Sequence, residues 1–140
     1  MQGRKIVALS GGFDPIHVGH VRMIQSAAEM GDVIVIANSD EWLMRKKGYI
    51  FMKYEERQEI LNAIKGVYDV VKANDIDDTV CETLRYLRPD IFVNGGDRKE
   101  GNVPEHILCE DMGIEMKFGV GGDDKPQSSS WLIEKVMNKK

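Results

Sequence analysis

Gly11-Gly12-Phe13-Asp14-Pro15-Ile16-His17-Val18-Gly19-His20 stands between the apolar run Ile6-Val7-Ala8-Leu9 and a stretch of helical periodicity. An apolar run that ends in glycines and then opens a helix reads as strand, tight loop and helix start. His17 and His20 are three residues apart, a spacing that puts both on one helix face. The first turn of a helix presents unpaired N–H groups and a partial positive charge, and together these favour an anion. Gly11 and Gly12 let the backbone come close to a ligand. The stretch reads as a phosphate cradle with two imidazole donors. It matches neither the dinucleotide G-x-G-x-x-G nor the Walker G-x-x-x-x-G-K-[ST]. A zinc site is disfavoured, because two histidines do not make one, His106 lies far off in another helical pattern and no cysteine cluster is near.

Outward from this stretch, short apolar runs alternate with helical patterns. Strands are expected at Lys5–Leu9, Asp32–Asn38, Tyr68–Lys72, Asp90–Asn94 and Ile114–Phe118. Helices are expected at Val18–Met30 with Gly31 as C-cap, from near Asp40, at Tyr54–Lys65 with Ile60, Leu61 and Ile64 on one face, at Thr79–Leu87 stopped by Pro89, at Pro104–Met112 and at Ser130–Asn138. The run Val33-Ile34-Val35-Ile36-Ala37 is apolar on both faces, as a central parallel strand requires. The order implies an α/β chain: a Rossmann-like, doubly wound parallel sheet of five strands with helices on both faces. Ligands in such sheets bind at the carboxyl ends of the strands. Four polar or glycine-rich segments fall there: Ser10–His20, Asn38–Asp40, Asn94–Arg98 and Gly119–Ser130.

At 140 residues the chain reads as one domain, 1–140, large enough for a real core. A net charge of −4 and a pI of about 5.4 argue against a general nucleic-acid or membrane-surface binder. No apolar stretch approaches the ~20 residues that cross a bilayer, and Met1–Lys5 does not read as a signal peptide. Cys81 and Cys109 sit in amphipathic helical patterns and read as buried thiols, so a cytoplasmic setting is expected.

The run Gly11-x-Phe13-Asp14-x-x-His17-x-Gly19-His20 and the order of the later motifs resemble the nucleotidyltransferases with an H-x-G-H signature, from about Lys5 to Val136. The likeness is to small cytidylyltransferases typified by glycerol-3-phosphate cytidylyltransferase, and similarly to the adenylyltransferase domain of ADP-heptose synthesis. It implies catalytic roles for His17 and His20, which hydrogen-bond phosphate oxygens and could donate as imidazolium. It implies nucleotide contacts from Gly11, Gly12, Phe13, Asp14 and Gly19, with Asp14 near the phosphates. A lysine of Arg45-Lys46-Lys47 reaches a phosphate in this family. Both Lys46 and Lys47 match, and Lys46 is carried as the site residue. Arg57, at the start of a helix whose apolar face is elsewhere, reads either as the family's phosphate contact or as half of an intrahelical salt bridge.

Asn94, Gly95, Gly96 and Asp97 resemble the Gly-Gly-Asp of the heptose adenylyltransferases, where glycines admit a base or ribose and Asp97 accepts from hydroxyls. Ser128, Ser129 and Ser130 stand where these families place hydroxyls at the last helix start. The glycerol-phosphate enzymes precede those hydroxyls with Arg-Thr-x-Gly-Ile. This chain has Asp123-Asp124-Lys125-Pro126-Gln127, so Lys125 is expected to stand in for the arginine, without its planar fork.

The implied reaction moves a nucleoside monophosphate from a triphosphate to a small phosphorylated acceptor and releases pyrophosphate, with Mg²⁺ held mainly by substrate phosphates. CMP from CTP is the leading expectation, since a free-standing chain of this size resembles the short cytidylyltransferases. Transfer from ATP to a sugar 1-phosphate such as a heptose phosphate is the alternative, supported by Gly95-Gly96-Asp97. A nucleotide-binding protein without turnover is the reading of a different class. A homodimer is expected by resemblance.

Overall fold

The computed structural model describes residues 4–95 and 103–120, where the alternation of apolar runs and helical patterns builds a five-stranded sheet. Strands β1 (Ile6–Gly11), β2 (Asp32–Ala37), β3 (Val67–Lys72), β4 (Ile91–Gly95) and β5 (Glu115–Val120) lie in the order β3-β2-β1-β4-β5. Every pairing is parallel. The connections carry helices α1 (Val18–Ala28), α2 (Asp40–Lys47), α3 (Tyr54–Asn62), α4 (Cys81–Leu87) and α5 (Val103–Met112). The helix expected at Ser130–Asn138, together with Gly96, Asp97, Lys125, Ser128, Ser129 and Ser130, lies outside the described residues.

Successive strand side chains point to opposite faces, so a strand covered on both sides is apolar throughout. Val7, Leu9, Val33, Val35, Ala37, Ile91 and Val93 pack with Met23, Ile24 and Ala27 of α1 and with Tyr54 and Leu61 of α3. Ala8, Ile36 and Phe92 face the other way, toward Cys81 and Leu84 of α4 and Leu108 and Cys109 of α5. The sheet is thus doubly wound, as expected. Each buried Val, Leu, Ile, Met or Phe side chain among them contributes ~1.5–3 kcal/mol of transfer free energy. The two thiols are free and buried, and burial pushes that of Cys109 up to about 11.

Two local expectations change. Gly31 does not cap α1; Glu29 does, in right-handed geometry. Gly31 is needed because a Cβ there would lie 2.2 Å from the Lys5 carbonyl oxygen, where the chain turns into β2. In α3 the buried stripe is Tyr54, Arg57 and Leu61, while Ile60 is exposed. Leu61 and Ile64 pack on the core as expected, Ile60 does not, and the inward face includes a charged residue.

Chain direction along the sheet reverses between β1 and β4. From β1 the chain steps outward to β2 and β3, then returns to the opposite side for β4 and β5. β1 and β4 lie side by side, with Val7 opposite Ile91 and Leu9 opposite Val93. A crevice outside the carboxyl ends of two such strands is where open parallel sheets bind ligands. Gly11 ends β1 and Gly95 ends β4, so the loop leading to His17 and His20 rises beside the segment that begins at Asn94.

Candidate active site

His17 is the N-cap of α1, with extended backbone geometry, and its Nδ1 accepts from the Gly19 N–H at 3.1 Å. His20, three residues on, reciprocates: its Nδ1 accepts from the His17 N–H at 3.1 Å. This is a reciprocal capping box, with imidazoles where serine and glutamate commonly stand. The two rings stack with centroids 3.8 Å apart and planes 24° apart. Because each Nδ1 accepts a backbone hydrogen bond, each neutral ring carries its proton on Nε2. Burial above all, then the neighbouring charges of His17 and Lys47, lowers the His20 pKa to about 3. His20 is therefore neutral near pH 7 in the ligand-free protein and offers Nε2–H, which corrects the expectation of an imidazolium donor there.

Phe13 supports this pair. Its backbone has φ +53, a left-handed conformation that costs a non-glycine residue about 1 kcal/mol or more. That turn drops its ring into the core, 2% exposed, and edge-on to His20 at 4.7 Å. The same ring occupies the space beside Gly11, where a Cβ would meet it at 3.1 Å. At Gly12 a Cβ would meet Leu43 of α2 at 3.3 Å. The two glycines thus make room for side chains of the protein's own core.

Asp14 is fully buried. Its Oδ2 accepts from the Phe51 N–H at 2.7 Å and its Oδ1 from the Met52 N–H. The carboxylate thereby holds the segment between α2 and α3 against the loop before α1.

The basic cluster Arg45-Lys46-Lys47 forms the last turn of α2, capped by Gly48 at φ +81, whose N–H donates to the Met44 carbonyl. One helical position separates the two lysines by about 100° around the axis. The Lys46 ammonium turns outward to Asp78 at 3.6 Å. Lys47 turns inward: burial lowers its pKa, Asp14 opposes the shift, and Arg57 adds to it. Lys47 also bears electrostatically on His20. Of the two lysines the sequence offers, Lys47 thus bears on Asp14, Arg57 and His20, while Lys46 pairs with Asp78.

Arg57 is buried completely. Its Nε donates to the Met52 carbonyl at 3.0 Å, and its Nη1 to the carbonyls of Gly12 at 2.8 Å and Asn38 at 2.7 Å. Its Nη2 donates to Asp40 Oδ1 at 2.8 Å. The acidic partner sits on α2, so the expected intrahelical salt bridge is not made.

The family model described as cytidylyltransferase-like matches residues 8–110, which span β1 to most of α5. The chain belongs to the cytidylyltransferase-like family. Curated relatives include the bifunctional protein HldE of Sulfurimonas denitrificans, 40% identical over 96% of this chain and 27% of its own length. The bifunctional protein HldE of Desulfatibacillum aliphaticivorans is 33% identical over 98% of this chain. This chain spans only 28% of that relative. Among solved structures, a lipopolysaccharide core biosynthesis protein from Thermoplasma volcanium superposes with a TM-score of 0.67 at 24% identity, covering 83% of this chain and 94% of that one. A putative nicotinate-nucleotide adenylyltransferase from Vibrio parahaemolyticus superposes at 0.55 with 15% identity, covering 98% of this chain and 89% of that one. At those identities the superpositions show the fold. The cytidylyltransferase-like match covers the histidine pair, Asp14, Lys47 and Arg57 alike.

Sequence reasoning misses one buried group. Asp75, 3% exposed, accepts from Asn38 Nδ2 at 3.1 Å, Ser39 N at 2.8 Å and Ser39 Oγ at 2.6 Å. Ser39 in turn caps α2 by accepting from the Trp42 N–H. Arg45 closes the same junction through the Asp75 carbonyl at 2.7 Å and the Asp78 carboxylate at 2.9 Å. The polar segment Asn38–Asp40 at the end of β2 is the available signal, but its partner is 36 residues away. Of the residues expected at β4, Asn94 and Gly95 close the strand beside β1.

Proposed function

We propose that this chain is a nucleotidyltransferase domain that moves AMP from ATP to a sugar phosphate. An acceptor phosphate oxygen attacks the α-phosphorus, the bond from that phosphorus to the β-phosphate oxygen breaks, and pyrophosphate leaves. The observation that carries this reading is the reciprocally capped, stacked histidine pair at a helix start, with the Lys47 charge bearing on His20. Preorganised donors and a cation, aimed at phosphoryl oxygens where charge develops, are what this chemistry asks of a protein. Asp14 orders the segment that follows Lys47 and α2. Among the described residues no three His, Cys, Asp or Glu side chains converge on a metal position. Mg²⁺ would be carried in on the triphosphate, as is usual for that ion.

The adenylyl donor is favoured over the cytidylyl donor that the sequence puts first. The relatives that align over nearly the whole chain are HldE proteins. They favour the likeness to the adenylyltransferase domain of ADP-heptose synthesis, as does Asn94-Gly95-Gly96-Asp97. A homodimer is proposed on the same likeness, to be checked by light scattering.

The test is incubation with α-labelled ATP or CTP, Mg²⁺, and separate panels of sugar 1-phosphates and polyol phosphates. Label from ATP should enter a nucleotide sugar, with one pyrophosphate released per product. Label passing from CTP into a polyol adduct would restore the cytidylyl reading. Tight triphosphate binding without any product would point to a binding protein.

A further inference from the structure

Three segments bring chemistry to the crevice: the loop before α1, the helix α2 that ends in Lys47, and the stretch ahead of α3 that caps Asp14. None is bonded to another through a regular ladder, yet the site works only if their spacing is fixed. A single side chain touches all of them. Arg57 donates to Gly12 O in the first, to Asp40 at the start of the second and to Met52 O in the third, and also to Asn38 O at the end of β2. Its guanidinium carbon sits 5.6 Å from the Tyr54 ring centroid, and it has no exposed surface.

We propose that Arg57 is a positioning residue that fixes Lys47 and Asp14 relative to the histidine pair, and does not itself contact substrate phosphate. Its planar fork carries five N–H groups, and four hydrogen bonds to protein already draw on all three nitrogens. The partners are mostly carbonyl oxygens of the chain that must be held still. Asp40 completes the brace, since its Oδ1 accepts both from Arg57 and from the Tyr54 N–H at 3.0 Å. Asp40 is partly exposed, so it can be changed without opening the core.

The activity arm of the test rests on the nucleotidyl-transfer reading, so a second arm is independent of it. In the ligand-free protein, amide exchange at Phe51 and Met52 should speed up about tenfold or more in Asp40→Asn and in Arg57→Lys, because local opening of this segment becomes easier. Unchanged exchange in both variants overturns the brace, whatever the protein catalyses. In the activity arm, both variants should lower kcat about ten- to hundredfold, as small misplacements of catalytic groups do. KM for the triphosphate should move less than kcat. The double variant should be no worse than Arg57→Lys alone, since the pair acts as one unit. A phosphate-contacting arginine gives the opposite pattern: Arg57→Lys raises KM most, while Asp40→Asn, which releases the guanidinium, leaves KM unchanged or lowers it. If the wild-type protein makes no pyrophosphate, the functional reading fails while amide exchange still decides on the brace.

Discussion

At the start of α1, two side chains three residues apart satisfy one another's backbone, and the same contacts fix their tautomers and stack their rings. At the end of α2, Lys47 owes its place to groups spread over the chain: Ser39 and Asp75 cap the helix start, Asp40 and Arg57 tie it to α3, and Asp14 holds the segment that follows. The first half of the site is a local device and the second is a tertiary one. The contrast predicts how each half fails. Damage at α1 should remove chemistry while the fold survives, whereas damage around α2 should disturb stability and chemistry together.

The largest effect is expected at the local half. His20→Ala should lower kcat by about 10²–10³, the usual loss for one preorganised donor, while costing stability only ~1 kcal/mol through the broken capping box. Steady-state pyrophosphate release and urea unfolding measure the two numbers, and a large stability loss with retained turnover would reverse the comparison. Next comes Asp14→Ala, which leaves the Phe51 and Met52 N–H groups without their buried acceptor. Two orphaned donors should cost about 2–4 kcal/mol in urea unfolding, together with activity.

Within the tertiary half, the lysines sharpen the contrast between neighbours. Lys47→Ala should cut kcat/KM about tenfold to a hundredfold as a triphosphate contact is lost. Lys46→Ala removes only an exposed pair with Asp78 and should leave stability within about 0.5 kcal/mol and turnover unchanged. Equal losses in the two variants would remove the distinction drawn from their directions.

A pH dependence completes the set. The His20 pKa is about 3 in the fold against an ordinary value of 6.5, so the unfolded chain binds the extra proton. Stability from this group is full above 6.5 and is lost as pH falls toward 3, at no more than about 1.4 kcal/mol per pH unit. Chemical denaturation at pH 7, 6 and 5 should show that decline, and His20→Ala should flatten it.

The same contrast governs what is legible in the amino-acid sequence. Strand and helix order is legible because apolar periodicity and glycine or proline punctuation are local signals. The H-x-G-H stretch is legible for the same reason, its geometry being set within four residues. The sequence singles out Arg57 but not its burial, since a charged residue among Glu55, Glu56 and Gln58 by itself carries no sign of pointing inward. Only the stripe Tyr54-Arg57-Leu61 betrays that it points inward. Asp75 sits near Asp77 and Asp78 and looks equally solvated, and nothing nearby in sequence announces its bonds to Asn38 and Ser39. The choice between Lys46 and Lys47 turns on helix phase, fixed by packing of Leu43 beneath Gly12.

Nitrogen-15 NMR of the histidine rings from pH 2.5 to 8, in the ligand-free protein, reads the charge and tautomer of the capped pair. His20 should stay neutral down to the region of pH 3, with its proton on Nε2 and Nδ1 reporting as the acceptor of a hydrogen bond. A His20 that titrates near 6.5, or that carries its neutral-form proton on Nδ1, would contradict it.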